Sequence, residues 1–414
     1  MRRWNLSRNA ISSCVTAALL AGCGGSQPPV GAPGAMPQTS ALVARATSSN
    51  YKVVYSFGAL NDGTVPIASL IDVGGTLYGT TWGGGIYHSS GTVFSVTPRG
   101  VEKVLHSFGS GIDGTYPVAS LIDVGGTLYG TTTSGGFRRR SCPNYYPCGT
   151  VFSVTPSGTE KVLHSFPGSY SDGADPRASL INVKGILYGT TAGGGLSSGG
   201  YCSHDGCGTV FSITPSGTEK ELYGFGETDG NSPVASLIDV KGTLYGTTSG
   251  TYLDYGTVFS IMPTGAEHLL YSFAGGNDGD NPEAGLINVG GKLYGTTYRG
   301  GMHGFGTVFS LTTSGTEHVL HSFGKRPDGE NPSASLIDVK GTLYGTTAGG
   351  GTYGDFGTVF SISTTGKEKV LHSFGAGSDG ANPVASLIEL KGKLYSTTRG
   401  GGAFGLGTVF SLKP

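Results

Sequence analysis

Five residues, Leu-Tyr-Gly-Thr-Thr, recur through this chain. They stand at 77–81, 128–132, 187–191, 244–248, 293–297 and 343–347, and a seventh copy at 394–398 carries Ser396 in place of Gly. Seven copies about 50 residues apart force a repeat architecture, because one such unit cannot bury a core alone and must stack on its neighbours. Each unit reads as four strands. In the sixth, residues 334–339 are an apolar-rich run and Lys340-Gly341 a two-residue hairpin turn. Residues 342–347 make the return strand, 357–362 a third strand and 369–374 a fourth, with no helical period.

This pattern predicts an all-β fold, a seven-bladed β-propeller of four-stranded antiparallel blades. Residues 51–414 supply about 52 residues per blade. The ends of the repeat region distinguish a ring from an open solenoid. Segment 52–57 matches a fourth strand and segment 407–412 a third, so their pairing closes the ring and removes both sheet edges.

Composition narrows the function classes. Lys and Arg number 26 against 27 Asp and Glu, a net charge of −1, which argues against nucleic-acid binding or capture by anionic lipid. The 76 Gly recur at fixed places in the units and are not low complexity. At the N-terminus, Arg2, Arg3 and Arg8 precede a short apolar stretch, 11–20, and then Leu20-Ala21-Gly22-Cys23. These four residues resemble a bacterial lipobox. The resemblance implies that 1–22 is a lipoprotein signal peptide and that Cys23 is the lipid-bearing first mature residue. With Gly24 next, it implies the outer membrane or cell surface, the periplasmic face being the alternative. An ordinary secretory signal is the bland reading. Residues 23–50, rich in Gly, Pro, Ser, Ala and Gln, are expected to form a disordered tether to a 51–414 propeller domain.

Cys142 and Cys148 share one loop, and Cys202 and Cys207 share the equivalent loop of the next repeat. Export favours disulfides: local pairs 142–148 and 202–207 are the first reading, a cross-link between loops the second and a zinc site with His204 the third.

The strand order resembles that of kelch propellers, which implies that the Ala-Ser-Leu-Ile runs line the axis and the Leu-His-Ser-Phe runs lie outermost. The phrases Ala-Ser-Leu-Ile, Leu-Tyr-Gly-Thr-Thr, Gly-Thr-Val-Phe and Ser-Gly-Thr-Glu resemble the GloVer tandem repeat over almost all of 51–414. That resemblance implies a bacterial surface protein and little about activity.

In a four-stranded blade, the loop between strands two and three emerges beside the link to the next blade. Here both are long, whereas the hairpin turns on the other face are short. The loops are 82–90, 133–148, 192–207, 249–255, 298–305, 348–356 and 399–406, and variation concentrates in them. This face is therefore the expected binding face, for a glycan or a protein. Its most singular loop carries Phe137, Arg138, Arg139, Arg140, Tyr145 and Tyr146. Trp82, Tyr87, Tyr201, Tyr252, Tyr298 and Tyr353, with His88 and His303, add rings on which sugars can stack, simple loop packing being the alternative.

Seven Asp-Gly pairs recur on the same face, at Asp62, Asp113, Asp172, Asp229, Asp278, Asp328 and Asp379, each with Pro four residues on. An Asx-type turn is the favoured reading and calcium the weak alternative. His106, His164, His321 and His372, replaced by Tyr55, Tyr223 and Tyr271 in other units, read as packing between blades. Asp72, Asp123, Asp239, Asp338 and Glu389 adjoin the hairpin turns and are expected to orient them. No catalytic motif is found, and no unique acid pair stands out near the axis. The expected role is non-catalytic recognition by a monomer without a cofactor. A polysaccharide lyase or hydrolase, or a purely structural surface protein, is the alternative.

Overall fold

Short runs of β-branched and aromatic residues between Gly-marked turns give short antiparallel strands and nothing longer. The computed structural model describes residues 50–58, 61–87, 89–136, 148–167, 172–195, 206–226, 228–250, 254–375 and 377–414. They form seven four-stranded sheets arranged as a β-propeller. From the axis outward, blade I is Ile71–Val73, Thr76–Thr81, Thr92–Val96 and Glu102–Ser107. Blades II to VI repeat this order. Blade VII joins Ile388–Leu390, Lys393–Thr398 and Thr408–Leu412 to the N-terminal strand Tyr51–Ser56. There Tyr51 pairs with Leu412 and Ser56 with Thr408, the ring closure that the two sequence ends predict.

The core lies between blades. Every junction carries an edge-on Phe pair, such as Phe108–Phe152 at 4.9 Å and Phe323–Phe360 at 5.1 Å. The Gly of the recurring phrase is required by this packing. A Cβ on Gly130 would meet Phe152 Cζ at 2.7 Å and Leu121 Cδ2 at 2.9 Å. At the seventh copy Ser396 is accommodated, its hydroxyl donating to the carbonyls of Ala385 and Ser386.

One boundary differs from expectation. The sixth unit's first strand is Ile337–Val339, three residues rather than six. The preceding Ala-Ser-Leu does not join the blade's own ladder, because in most blades its Ser N–H is used around the axis. Ser69 N donates to Ser120 Oγ at 2.9 Å, Ser120 N to Ser179 Oγ at 2.9 Å, Ser179 N to Ser236 Oγ at 3.1 Å and Ser386 N to Ser69 Oγ at 2.8 Å. Gly285, in blade V, interrupts the serine series.

The Asp-Gly and His/Tyr series meet at the blade junctions. Asp62 accepts from Tyr55 Oη at 2.8 Å, Gly58 N at 3.1 Å and Gly63 N at 2.7 Å. Asp328 accepts from Gly324 N and Gly329 N and lies 3.2 Å from His321 Nε2. The Asp thus caps its own turn and ties it to the outer strand. A Glu from the next blade faces each pair: burial, reinforced by the neighbouring Asp, raises Glu102 (Asp62) and Glu317 (Asp278) to about 7. At the closing junction Tyr51 stands in that place and stacks on His372 at 3.9 Å.

Candidate functional site

Three positions in each unit converge on the long-loop face around the axis: the residue before the proline, the residue after it, and the residue after Thr-Thr. Around the ring the first are Val65, Tyr116, Asp175, Ser232, Asn281, Asn331 and Asn382, and the second Ile67, Val118, Arg177, Val234, Glu283, Ser333 and Val384. The third are Trp82, Thr133, Ala192, Ser249, Tyr298, Ala348 and Arg399. The strands beneath are nearly identical, so chemical difference between blades is concentrated here.

Many of these residues line a funnel of about 990 Å³. It narrows to about 200 Å³ between the Ala-Ser segments; Ile67, Arg177, Glu283, Ser333 and Val384 line both parts. The wider part matches the size of small-molecule sites. Val65, Ile67 and Trp82 of blade I with Val384 of blade VII form an apolar arc, beside which stands Arg399. Arg177 of blade III, Glu283 and Tyr298 of blade V, and Asn331 and Asp355 of blade VI form a polar arc.

The polar arc is cross-braced. Asp175 Oδ2 accepts from Arg177 Nε at 2.8 Å and Nη2 at 2.7 Å, a two-pronged grip that orients the guanidinium. Arg326 Nη2 donates to Asp355 Oδ1 at 3.0 Å. Arg299 lies 5.8 Å over the Tyr298 ring. Burial pushes the Glu283 carboxyl above its usual range, with Arg299 and Arg177 opposing the shift and Asp280 adding to it. Burial likewise raises Asp175 against the pull of Arg177.

Two residues proposed from sequence, Trp82 and Tyr298, line the funnel. Trp82 is 43% exposed and stacks on Tyr116 at 4.9 Å. Tyr87 and Tyr353 are exposed on the same face but do not line the funnel, and Tyr353 packs near Gly375. His303 packs against Gly324. Cys148 and Cys207 are buried at the ends of their loops. Cys23, His88, Phe137, Arg138, Arg139, Arg140, Cys142, Tyr145, Tyr146, Tyr201, Cys202, His204 and Tyr252 lie outside the described residues.

Near the axis two blades depart from the repeat. Blade III brings Arg177 and blade V brings Glu283 to positions where most blades carry Val or Ile. Both break the repeat only after the proline, a signal that aligning the seven units at that residue makes plain.

The profile of the Gloeobacter/Verrucomicrobia repeat matches residues 34–252, 144–291 and 202–410, together nearly the whole propeller. The chain belongs to this repeat family. No curated protein matches it. Among solved structures, this repeat protein is similar to the tricorn protease, with 10% identity and a TM-score of 0.41 over 80% of the chain, which spans 27% of the protease. It is similar to YjhT, with 12% identity and a TM-score of 0.43, covering 77% of this chain and 99% of the other. It is also similar to the gluconolactonase XC5397 of Xanthomonas campestris, with 15% identity and a TM-score of 0.40, covering 64% and 79%.

Proposed function

We propose that this repeat protein binds a glycan in the axial funnel of the long-loop face and does so without consuming it. The observation that carries this reading is the division of the funnel into an apolar arc headed by an exposed indole and a polar arc of Arg177, Glu283, Asn331 and Asp355. A pyranose presents CH groups on one face and hydroxyls around its edge, and such an arrangement complements both. Opposite charges lie side by side in the polar arc, which suits a neutral sugar better than an acidic one.

The test is to array plant and bacterial polysaccharides and probe them with the full chain and with Trp82→Ala. Retention on a neutral glycan that is lost in the variant supports the reading; no retention on any glycan overturns it. One observation favours a second reading, hydrolysis or lyase chemistry: Glu283 is a half-buried carboxyl held above its usual range beside the funnel, as a proton-transferring group requires. Release of oligosaccharides from the bound glycan, abolished by Glu283→Gln, would decide for it.

The protein is further proposed to be lipid-anchored through Cys23 to the outer membrane or cell surface, with local disulfides 142–148 and 202–207 tying its two longest loops. Incorporation of an alkyne-tagged fatty acid that Cys23→Ala abolishes tests the anchor. Peptide mapping without reductant tests the pairs.

A further inference from the structure

The residue before the axial proline has left-handed backbone in all seven blades, with φ between 55° and 59°. Its backbone is fixed on both sides. Tyr116 N donates to Ser90 O at 2.8 Å and Tyr116 O accepts from Thr133 N at 3.2 Å; for Val65 the partners are Leu406 O and Trp82 N, at 2.9 and 3.1 Å. Asparagine suits this conformation well, since it tolerates positive φ better than other side chains except glycine. Blades V, VI and VII use it, and each amide adds a hydrogen bond of 2.8–2.9 Å to a carbonyl of the preceding blade: Ser249, Tyr298 and Ala348.

Blades I and II carry Val65 and Tyr116 instead. A β-branched or bulky residue at positive φ is a steric outlier, and neither side chain can donate the amide bond. Strain of this kind persists where the surroundings over-determine the backbone, and it gathers at functional sites. Both outliers sit at the apolar arc. Val65 lines the funnel, and the Tyr116 ring lies against Trp82 with an interplanar angle of 19°. At the same position blades III, V, VI and VII carry Asp175, Asn281, Asn331 and Asn382, residue types that tolerate this conformation.

We propose that Val65 and Tyr116 are specificity-determining positions, at which backbone strain is retained to build an apolar platform for the CH face of a hexopyranose. Trp82 is the contacting ring and Val65 its apolar flank. Tyr116 is a positioning residue that holds the indole from behind. The inference rests on the glycan reading and adds to it the residue roles and the class of sugar, one whose CH groups gather on a single face.

The experiment compares the full chain with Tyr116→Asn, Val65→Asn and Tyr116→Phe. Thermal unfolding is measured without ligand, and titration calorimetry uses hexasaccharides of β-linked glucose, galactose and mannose. Trp82 and Trp4 are the only tryptophans, and with Trp4 in the proposed signal peptide the indole fluorescence of the mature chain reports on the platform. The Asn variants should unfold on the order of 2 °C higher, as the backbone relaxes and the amide bond forms. Tyr116→Asn should weaken the bound hexasaccharide about tenfold and diminish the ligand-induced fluorescence change, whereas Tyr116→Phe should preserve both. A higher Tm with unchanged affinity overturns the platform and leaves the glycan reading standing. A lower Tm for both Asn variants overturns the strain on which the proposal stands. No binding of any hexasaccharide or arrayed glycan by the unsubstituted chain overturns the glycan reading itself and the platform with it.

Discussion

The two faces of this propeller are built from one repeat and differ in almost everything that a ligand could read. On the turn face each inner hairpin is two residues long, and in five blades an acid three residues before the second turn glycine accepts its N–H, with Asn182 doing so for Gly185 in blade III. Asp72 does so for Gly75, Asp239 for Gly242 and Asp338 for Gly341, each at 2.8 Å. On the long-loop face every blade presents a different trio around the funnel. Of the eleven large hydrophobics exposed among the described residues, nine lie on the long-loop face, and only Val101 and Met262 lie on the other. Exposed apolar surface on that face is what the proposed binding role requires. The difference teaches that the repeat constrains what holds the ring together and leaves free what points into the funnel.

The largest expected effect strikes the frame that both faces share. Phe309→Ala removes one ring of a junction pair with Phe273 and empties a fully buried position, so it should cost about 3–5 kcal/mol, measured by chemical denaturation. Next comes a change confined to the long-loop face. Trp82→Ala should weaken glycan binding by about tenfold to a hundredfold while leaving unfolding within about 1 kcal/mol, because the indole is exposed and packs mainly on Tyr116. Equal loss of both properties would mean that Trp82 is a core residue of the frame.

The junction carboxylates give a pH dependence common to both faces. Glu102, Glu160 and Glu317 are raised to about 7 by burial, with Asp62, Asp113 and Asp278 adding to it and His106 opposing it at Glu160. A folded-state value above the unfolded one stabilises the fold at low pH. That contribution is complete below the unfolded value near 4.5 and is lost as pH rises through about 7. The Tm should therefore fall between pH 5 and pH 8, and Glu102→Gln should flatten the profile. The smallest effect belongs to the turn face. Asp338→Ala removes one exposed hydrogen bond to Gly341 N and should cost about 0.5–1.5 kcal/mol with no change in glycan affinity.

The frame was legible in the sequence because periodic constraints leave periodic residues. Leu-Tyr-Gly-Thr-Thr marked the second strand, and the mismatched chain ends marked the closure between Tyr51–Ser56 and Thr408–Leu412. The Asp of Asp-Gly read as a turn-former, which its bonds to Gly58, Gly63, Gly324 and Gly329 show it to be. The funnel was legible only in part. Trp82 and Tyr298 stood out as aromatic, but Arg177 and Glu283 fall just after a conserved-looking proline within an otherwise repeated phrase, where they pass for ordinary surface charges. What makes them functional candidates is that positions more than 100 residues apart in the chain meet at the axis, a fact of ring closure and not of local sequence. Val65 and Tyr116 were invisible for a different reason: their significance lies in a backbone angle.

Hydrogen–deuterium exchange on the full chain, with and without the glycan that it retains, tests the central claim most directly. Binding in the funnel predicts protection of the amides around residues 65–67, 82–84, 283, 331–333 and 399–400, all on the long-loop face, with the hairpin turns at 74–75, 241–242 and 340–341 unchanged. Protection of those turns or of the outer strands, with the funnel amides unchanged, would contradict it.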